Sequence, residues 1–229
     1  MFPLRDNHKS RRFPLVTVLL ILVNIYVFFR ELTAPDTESF INSYSLIPYN
    51  VNFSELSTLT PFITSQFLHA GFLHIISNMW FLRIFADNAE EKFGHFNFLV
   101  VYIVSGATGG FLQYLFSPDS RLPMLGASGA VAGVLGAYLV FFPHHKVETL
   151  VPYGLFMSVV SIPASVMLIY WFIIQFFSGV GSIAAAQTGG VAFWAHVGGF
   201  VTGFLIAKFY PRFSMFLKIT TKGSPINFR

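Results

Sequence analysis

The chain has 229 residues, 54% of them hydrophobic and only 10% charged, with a mean hydropathy of +0.64. A soluble domain of this size carries about 25% charged residues, so a water-soluble enzyme is excluded and a polytopic membrane protein is expected. The net charge of +4 sits in the flanks of apolar segments, which argues against a nucleic-acid partner, and the lack of Cys removes disulfides, thiolate metal sites, a Cys nucleophile and S-acylation.

Six apolar segments are expected to span the bilayer, at roughly 13–30, 67–86, 96–116, 127–142, 153–177 and 191–210. Most approach the ~20 residues that cross ~30 Å of hydrocarbon. The expected architecture is an all-α six-helix membrane bundle over 13–210, between an N-terminal tail at 1–12 and a basic C-terminal tail at 211–229. The first segment follows Arg5, Lys9, Arg11 and Arg12 but ends in YVFFRELTAPD. That ending has no small-x-small cleavage site, so a retained anchor is expected rather than a signal peptide. The connection 31–66 carries Pro35, Pro48 and Pro61, and its run from Phe53 to Ile63 is expected at the membrane interface.

Basic residues set the orientation. Arg83 and Lys92 flank the second connection, Lys146 lies in the fourth, and Lys208, Arg212, Lys218, Lys222 and Arg229 follow the last span. All fall on the side of the N-terminal cluster, whereas the other side has only Arg30 and Arg121. The positive-inside rule then puts both termini in the cytoplasm.

Polar side chains at membrane depth are candidates for function. The second span holds His74 and Asn78, four apart and therefore on one helix face. The fourth begins MLGASGAVAGVLGAYLVFFP with Ser128 near its start, and the sixth carries His196 in its outer half. These three spans run in the same direction. At 1.5 Å per residue His74 lies roughly 10 Å deep, His196 about 8 Å and Ser128 roughly 7–8 Å, the fourth span being short and its start submerged. A backbone start in hydrocarbon is tolerated only beside protein or a water-filled cavity, so water is expected to reach this layer.

Small residues permit close helix approach there. Gly129-x3-Gly133 and Ala132-x3-Gly136 line the fourth span, and Ala195-x3-Gly199-x3-Gly203 the sixth. A Ser at a helix start becomes a nucleophile if a base takes its proton. The unpaired N–H groups of the first turn, with Asn78 and His74, can hold an oxyanion. No Asp or Glu lies in the relevant stretches of these spans. A Ser128–His196 dyad is therefore the economical reading, although a lone Ser or Asn in a membrane helix is more often a packing residue.

The motifs GASG (126–129), HAGFLHIISN (69–78) and AHVGG (195–199) resemble, in order and helix placement, those of the rhomboid family of intramembrane serine proteases. NMWFLRIFADNAEEKFG and LGAYLVFFP also resemble that family, in its basic six-span prokaryotic form. The resemblance implies Ser128 as nucleophile and His196 as general base. It implies an oxyanion hole from His74, Asn78 and the Ser128 N–H, with Gly126, Gly129 and Gly199 as structural supports. It also implies a multi-pass protein of a prokaryotic plasma membrane, cleaving single-span membrane substrates near the outer face without cofactor or metal. Two departures stand out. The loop after the first span lacks the Trp-Arg pair of some members, and Ala132 stands where many place an aromatic against the catalytic His.

Two rival classes are a non-catalytic rhomboid-like adaptor and a metal or ion carrier using His69, His74 and His196; the latter lacks carboxylate ligands in the spans and an HExxH motif. His69 is a candidate cavity residue, while His8, His95, His144 and His145 are expected to be solvated. SIAAAQT, between glycines 179, 181, 189 and 190, is expected as an uncharged outer loop, either a plain connection or, from its place next to His196, a mobile cap over the cavity.

Overall fold

The computed structural model describes residues 2–8, 10–153, 156–184 and 191–220. Its elements are β1 (Phe2–Asp6), α1 (Leu15–Leu32), α2 (Thr37–Tyr44), α3 (Pro61–Thr64), α4 (Phe72–Phe93), α5 (His95–Phe116), α6 (Ser128–Phe141), β2 (Lys146–Tyr153), β3 (Phe156–Pro163), α7 (Ala164–Ala184) and α8 (Phe193–Thr220). Among the described residues, α1, α5 and the Ala164–Ile183 stretch of α7 are long and apolar enough to cross a membrane. Helix α6 is a shorter apolar helix.

Helix α6 is the centre of the bundle. Every residue from Gly129 to Tyr138 is buried, and α8 packs along it more extensively than any other helix, with α5 and α4 on its other sides. Apolar side chains such as Leu22 and Phe29 on α1, and Ile173 and Phe177 on α7, point outward. That surface suits lipid and not water.

The expectation of an all-α fold is corrected to a mostly helical one. Residues 146–163, the second half of which was expected as the start of the fifth span, form an antiparallel hairpin pairing Lys146 with Pro163 and Tyr153 with Phe156. Strand β1 adds to its edge, pairing Phe2 with Leu150 and Asp6 with Val147. The reason is local. Val147, Thr149, Val151, Val159, Val160 and Ile162 are β-branched, and Val147 and Thr149 are buried while Glu148 between them is not. A hydropathy count cannot tell such a run from a helix. Arg5 clips β1 to β2 with a two-pronged ion pair to Glu148, at 2.8 and 3.0 Å.

The second span also starts later than expected, at Phe72 instead of 67. The chain over 65–71 is a largely buried turn tied to its surroundings by hydrogen bonds in both directions. The His69 N–H donates to Glu31 Oε2 at 3.1 Å, and Gln66 Nε2 donates to Phe62 O and Ile103 O. At the other end of the bundle, α8 continues through 211–220 into the segment expected as a tail.

One contact ties the bundle together at that far end. Pro14, before α1, offers no capping side chain. Glu90 of α4 takes its place, accepting from the N–H groups of Val16 and Thr17 at 2.8 Å each and from the Thr17 hydroxyl at 2.6 Å. Its carboxylate also meets His95, which is therefore not simply solvated. Glu90→Gln replaces one acceptor oxygen by a donor facing donors. Hydrogen bonds to a charged group are worth about 1.5–3 kcal/mol, so this variant is expected to melt measurably earlier in detergent. Unchanged melting would mean that α1 is not held through its N-terminus.

Strand β1 reaches the same end. Asp6 Oδ2 accepts from Tyr138 Oη and from Asn88 Nδ2, both at 2.7 Å. Burial raises the Asp6 carboxyl above its usual range, and the Tyr138 hydrogen bond offsets part of that rise. The N-terminal segment, the end of α4 and the α6–α7 connection thus share one end of the bundle, and the first turns of α4, α6 and α8 lie at the other.

Candidate active site

The start of α6 is built by a turn that only glycine fits. Met124 exchanges backbone hydrogen bonds with Leu46 at 2.8 and 2.9 Å, and the Gly126 N–H donates to Ser65 O at 2.9 Å. Gly126 has φ +127, a conformation L-residues avoid, and a Cβ there would lie 2.7 Å from His74 Nε2 and 3.7 Å from Ser128 Oγ. The missing side chain is what lets His74 and Ser128 face each other. Ser128 is the first residue of α6. Val131 is the first residue to bond four back, to Ala127 O at 2.9 Å. The N–H groups of Ser128, Gly129 and Ala130 therefore precede the helical ladder.

His74 is the third residue of α4 and His196 the fourth of α8. The common layer expected from depth counts thus has a simpler basis: three parallel helices each present a polar residue in the first turn. His74, Asn78, Ser128 and His196 all line one cavity of about 450 Å³, with Met124, Val131, Ala132 and Trp171 among its apolar walls. Among the described residues no Asp, Glu, Lys or Arg lines it.

Hydrogen bonds define what each ring can do. His74 Nδ1 accepts the Ala70 N–H at 3.3 Å. In neutral imidazole one nitrogen accepts and the other donates, so His74 presents Nε2–H to the space beside Gly126. His196 Nδ1 lies 2.7 Å from Gln175 Oε1. A carbonyl oxygen only accepts, so Nδ1 carries the proton and Nε2 keeps a free lone pair. The two contacts thus favour opposite tautomers, with Nε2–H turned outward on His74 and a lone pair on Nε2 of His196. Asn78 is 6% exposed, and its Nδ2 has no partner among the described residues. A buried amide N–H₂ is costly to leave unpaired and is poised to donate into the cavity.

Close approach of α6 and α8 is shown by their glycines. A Cβ on Gly199 would overlap the carbonyl oxygen of Gly129, and one on Gly203 would overlap that of Gly133. A Cβ on Gly129 would sit 3.4 Å from Ala195 O, in ordinary contact.

Sequence reading missed three residues. Gln175 and Trp171 lie four apart on α7, and the Trp171 ring centre is 5.9 Å from that of His196. The one available signal was an amide inside the apolar run YWFIIQFF. Glu31, which the sequence puts at the outer end of the first span, is 3% exposed and accepts from the backbone N–H of His69. His69 does not line the cavity; it is fully buried, its ring edge-on to His74 at 5.1 Å. Among the described residues no three His, Asp or Glu side chains gather as a metal site. Most of the expected cap, at 185–190, lies outside the described residues, whereas Gly179 and Gly181 belong to α7.

The sequence matches the Rhomboid domain over residues 56–213. The chain belongs to the rhomboid family. It is 33% identical over 144 residues to the putative rhomboid protease YdcA of Bacillus subtilis (strain 168), covering 61% of this chain and 69% of that protein. It is 32% identical over 144 residues to RHOMBOID-like protein 6, mitochondrial, of Arabidopsis thaliana, covering 63% of this chain but 41% of that one. Rhomboid protease GluP of Bacillus subtilis is 32% identical over 134 residues, 55% of this chain and 24% of GluP. This rhomboid thus spans well under half the length of some relatives it matches. As a family member it is a multi-pass helical membrane protein.

Proposed function

We propose that this rhomboid is an intramembrane serine endopeptidase that cleaves transmembrane protein substrates near the outer face of the bilayer through a Ser128–His196 dyad. The observation carrying this reading is the single cavity that Ser128, at the start of α6, shares with His74, Asn78 and a His196 held at Nδ1 by Gln175. Ser128 Oγ attacks the scissile carbonyl carbon as His196 Nε2 takes its proton. The oxyanion is held by His74 Nε2–H, Asn78 Nδ2–H and the Ser128 N–H, donors fixed before substrate arrives. Collapse of the tetrahedral intermediate expels the amine, which receives the proton from His196. Water, activated by the same Nε2, then hydrolyses the acyl-enzyme.

In this reading six helices, α1, α4, α5, α6, α7 and α8, span a plasma membrane, with 13–210 as the protease domain. Gly126, Gly129 and Gly199 let the catalytic helices meet. A non-catalytic adaptor has no use for an oriented His196 sharing a cavity with Ser128 and the unpaired amide of Asn78. The test is incubation of purified protein in detergent with a panel of single-span segments, with products located by mass spectrometry. Cleavage inside or beside the apolar segment is expected; intact segments throughout would reject the protease reading.

Both termini are placed in the cytoplasm by charge, and the sheet joining β1 to the α6–α7 connection fits that placement. In this Cys-free chain, cysteines introduced at Ser10 or Ser224 should react with an impermeant reagent only from the cytoplasmic side, and one at Ser120 only from outside. The reverse pattern would move the cavity to the other face.

A further inference from the structure

We infer that Gln175 is a positioning residue for His196, selecting the tautomer that can act as a base; this rests on the dyad reading above. Neutral imidazole has two tautomers, and only the one protonated on Nδ1 leaves Nε2 free for the Ser128 proton. The usual selector is a carboxylate, as in a triad. Among the described residues none lines this cavity, and the only other titratable side chain on its wall is His74.

Gln175 Oε1, 2.7 Å from Nδ1, fills that role from α7. When Nε2 takes up the serine proton, Nδ1–H becomes part of an imidazolium and the same carbonyl holds it more strongly. The amide does this without a second buried charge, which would carry a large desolvation cost. Trp171, one turn before Gln175, lies beside the same ring at a tilt of 34° and packs on Phe200. It stands on the cavity wall with Ala132. One face of α7 thus supplies both the hydrogen bond and the aromatic wall that α6 does not.

The test has one readout independent of catalysis. Nitrogen-15 NMR of the imidazoles, with His196 assigned by comparison with His196→Ala, should show the proton on Nδ1 in the wild type and a mixture of tautomers in Gln175→Leu. Kinetically, Gln175→Leu should lower kcat about tenfold, the size of one hydrogen bond, with KM unchanged. Its acidic limb of kcat/KM should move to lower pH, because the imidazolium has lost its acceptor. Gln175→Glu, nearly isosteric, should recover activity relative to Leu and move that limb to higher pH. Opposite shifts are the signature, since a packing role would leave the limb in place in both variants. A wild-type proton on Nε2, or an unmoved limb in Gln175→Glu, would overturn the inference. A protein that shows the Nδ1 proton yet cleaves nothing would instead count against the dyad and leave Gln175 as the holder of the ring.

Discussion

Ser128→Ala is expected to abolish cleavage, His196→Ala to do the same, and the double variant to be no worse than either. Nucleophile and base act in one proton transfer, so removing one leaves the other without a task. In a serine protease either loss costs about 10⁶ in kcat, and the two do not add. What remains, about 10³–10⁴ over water in such enzymes, comes from the oxyanion hole and binding. Here such a remnant would rest on His74 and Asn78 of α4, which neither substitution touches, and would be too slow to register as cleavage. A fluorophosphonate probe should label the wild type and not Ser128→Ala. Labelling that survives in Ser128→Ala would assign the nucleophile elsewhere. Effects of the two single variants that multiplied in the double would mean that Ser128 and His196 act in separate steps. EDTA should leave the rate unchanged; loss restored by zinc would favour a metal carrier or metalloenzyme.

The residues of the cavity were legible because they break a strong background. In an apolar helix a Ser, His or Asn stands out, and three helices running the same way allow depth to be counted from one end. Gly199 and Gly203 were legible for a similar reason: their spacing of four marks a face along which backbones touch. What the sequence hid was tertiary. Gln175 and Trp171 lie on a helix whose rotation about its own axis no hydropathy pattern fixes, so the partner of His196 Nδ1 could not be named. The burial of Glu31 was hidden because it depends on the turn over 65–71, most of which the hydropathy pattern assigns to the second span. The hairpin over 146–163 was taken partly for membrane helix because Val, Thr and Ile serve both, and its pairing with β1 joins residues more than a hundred positions apart.

Gly199→Ala should lose at least ~10² in cleavage rate, and Gly199→Val should lose essentially all of it. By sequence alone Ala would retain some activity, a methyl group being small. The structure removes that margin, since even a Cβ at 199 overlaps Gly129 O, which is backbone and cannot swing aside. The helices must separate, and His196, three residues earlier on α8, moves with its helix away from Ser128, one residue before Gly129. A misplacement of 1 Å costs ~10²-fold. Insertion should be normal, because either substitution makes the segment more apolar. The adjacent Phe200 cannot serve as a control, because it is 5% exposed and its ring packs on Phe172 at 4.8 Å and Trp171 at 6.0 Å. Val201, 40% exposed on the outer side of α8, is the proper one, and Val201→Ala should cleave at nearly the wild-type rate. The same overlap at Gly203 against Gly133 makes Gly203→Ala a second, independent wedge one turn deeper, expected to be damaging but less so because it lies farther from His196. If Gly199→Ala inserted normally and cleaved as fast as Val201→Ala, close contact of α6 and α8 would not set the distance between Ser128 and His196.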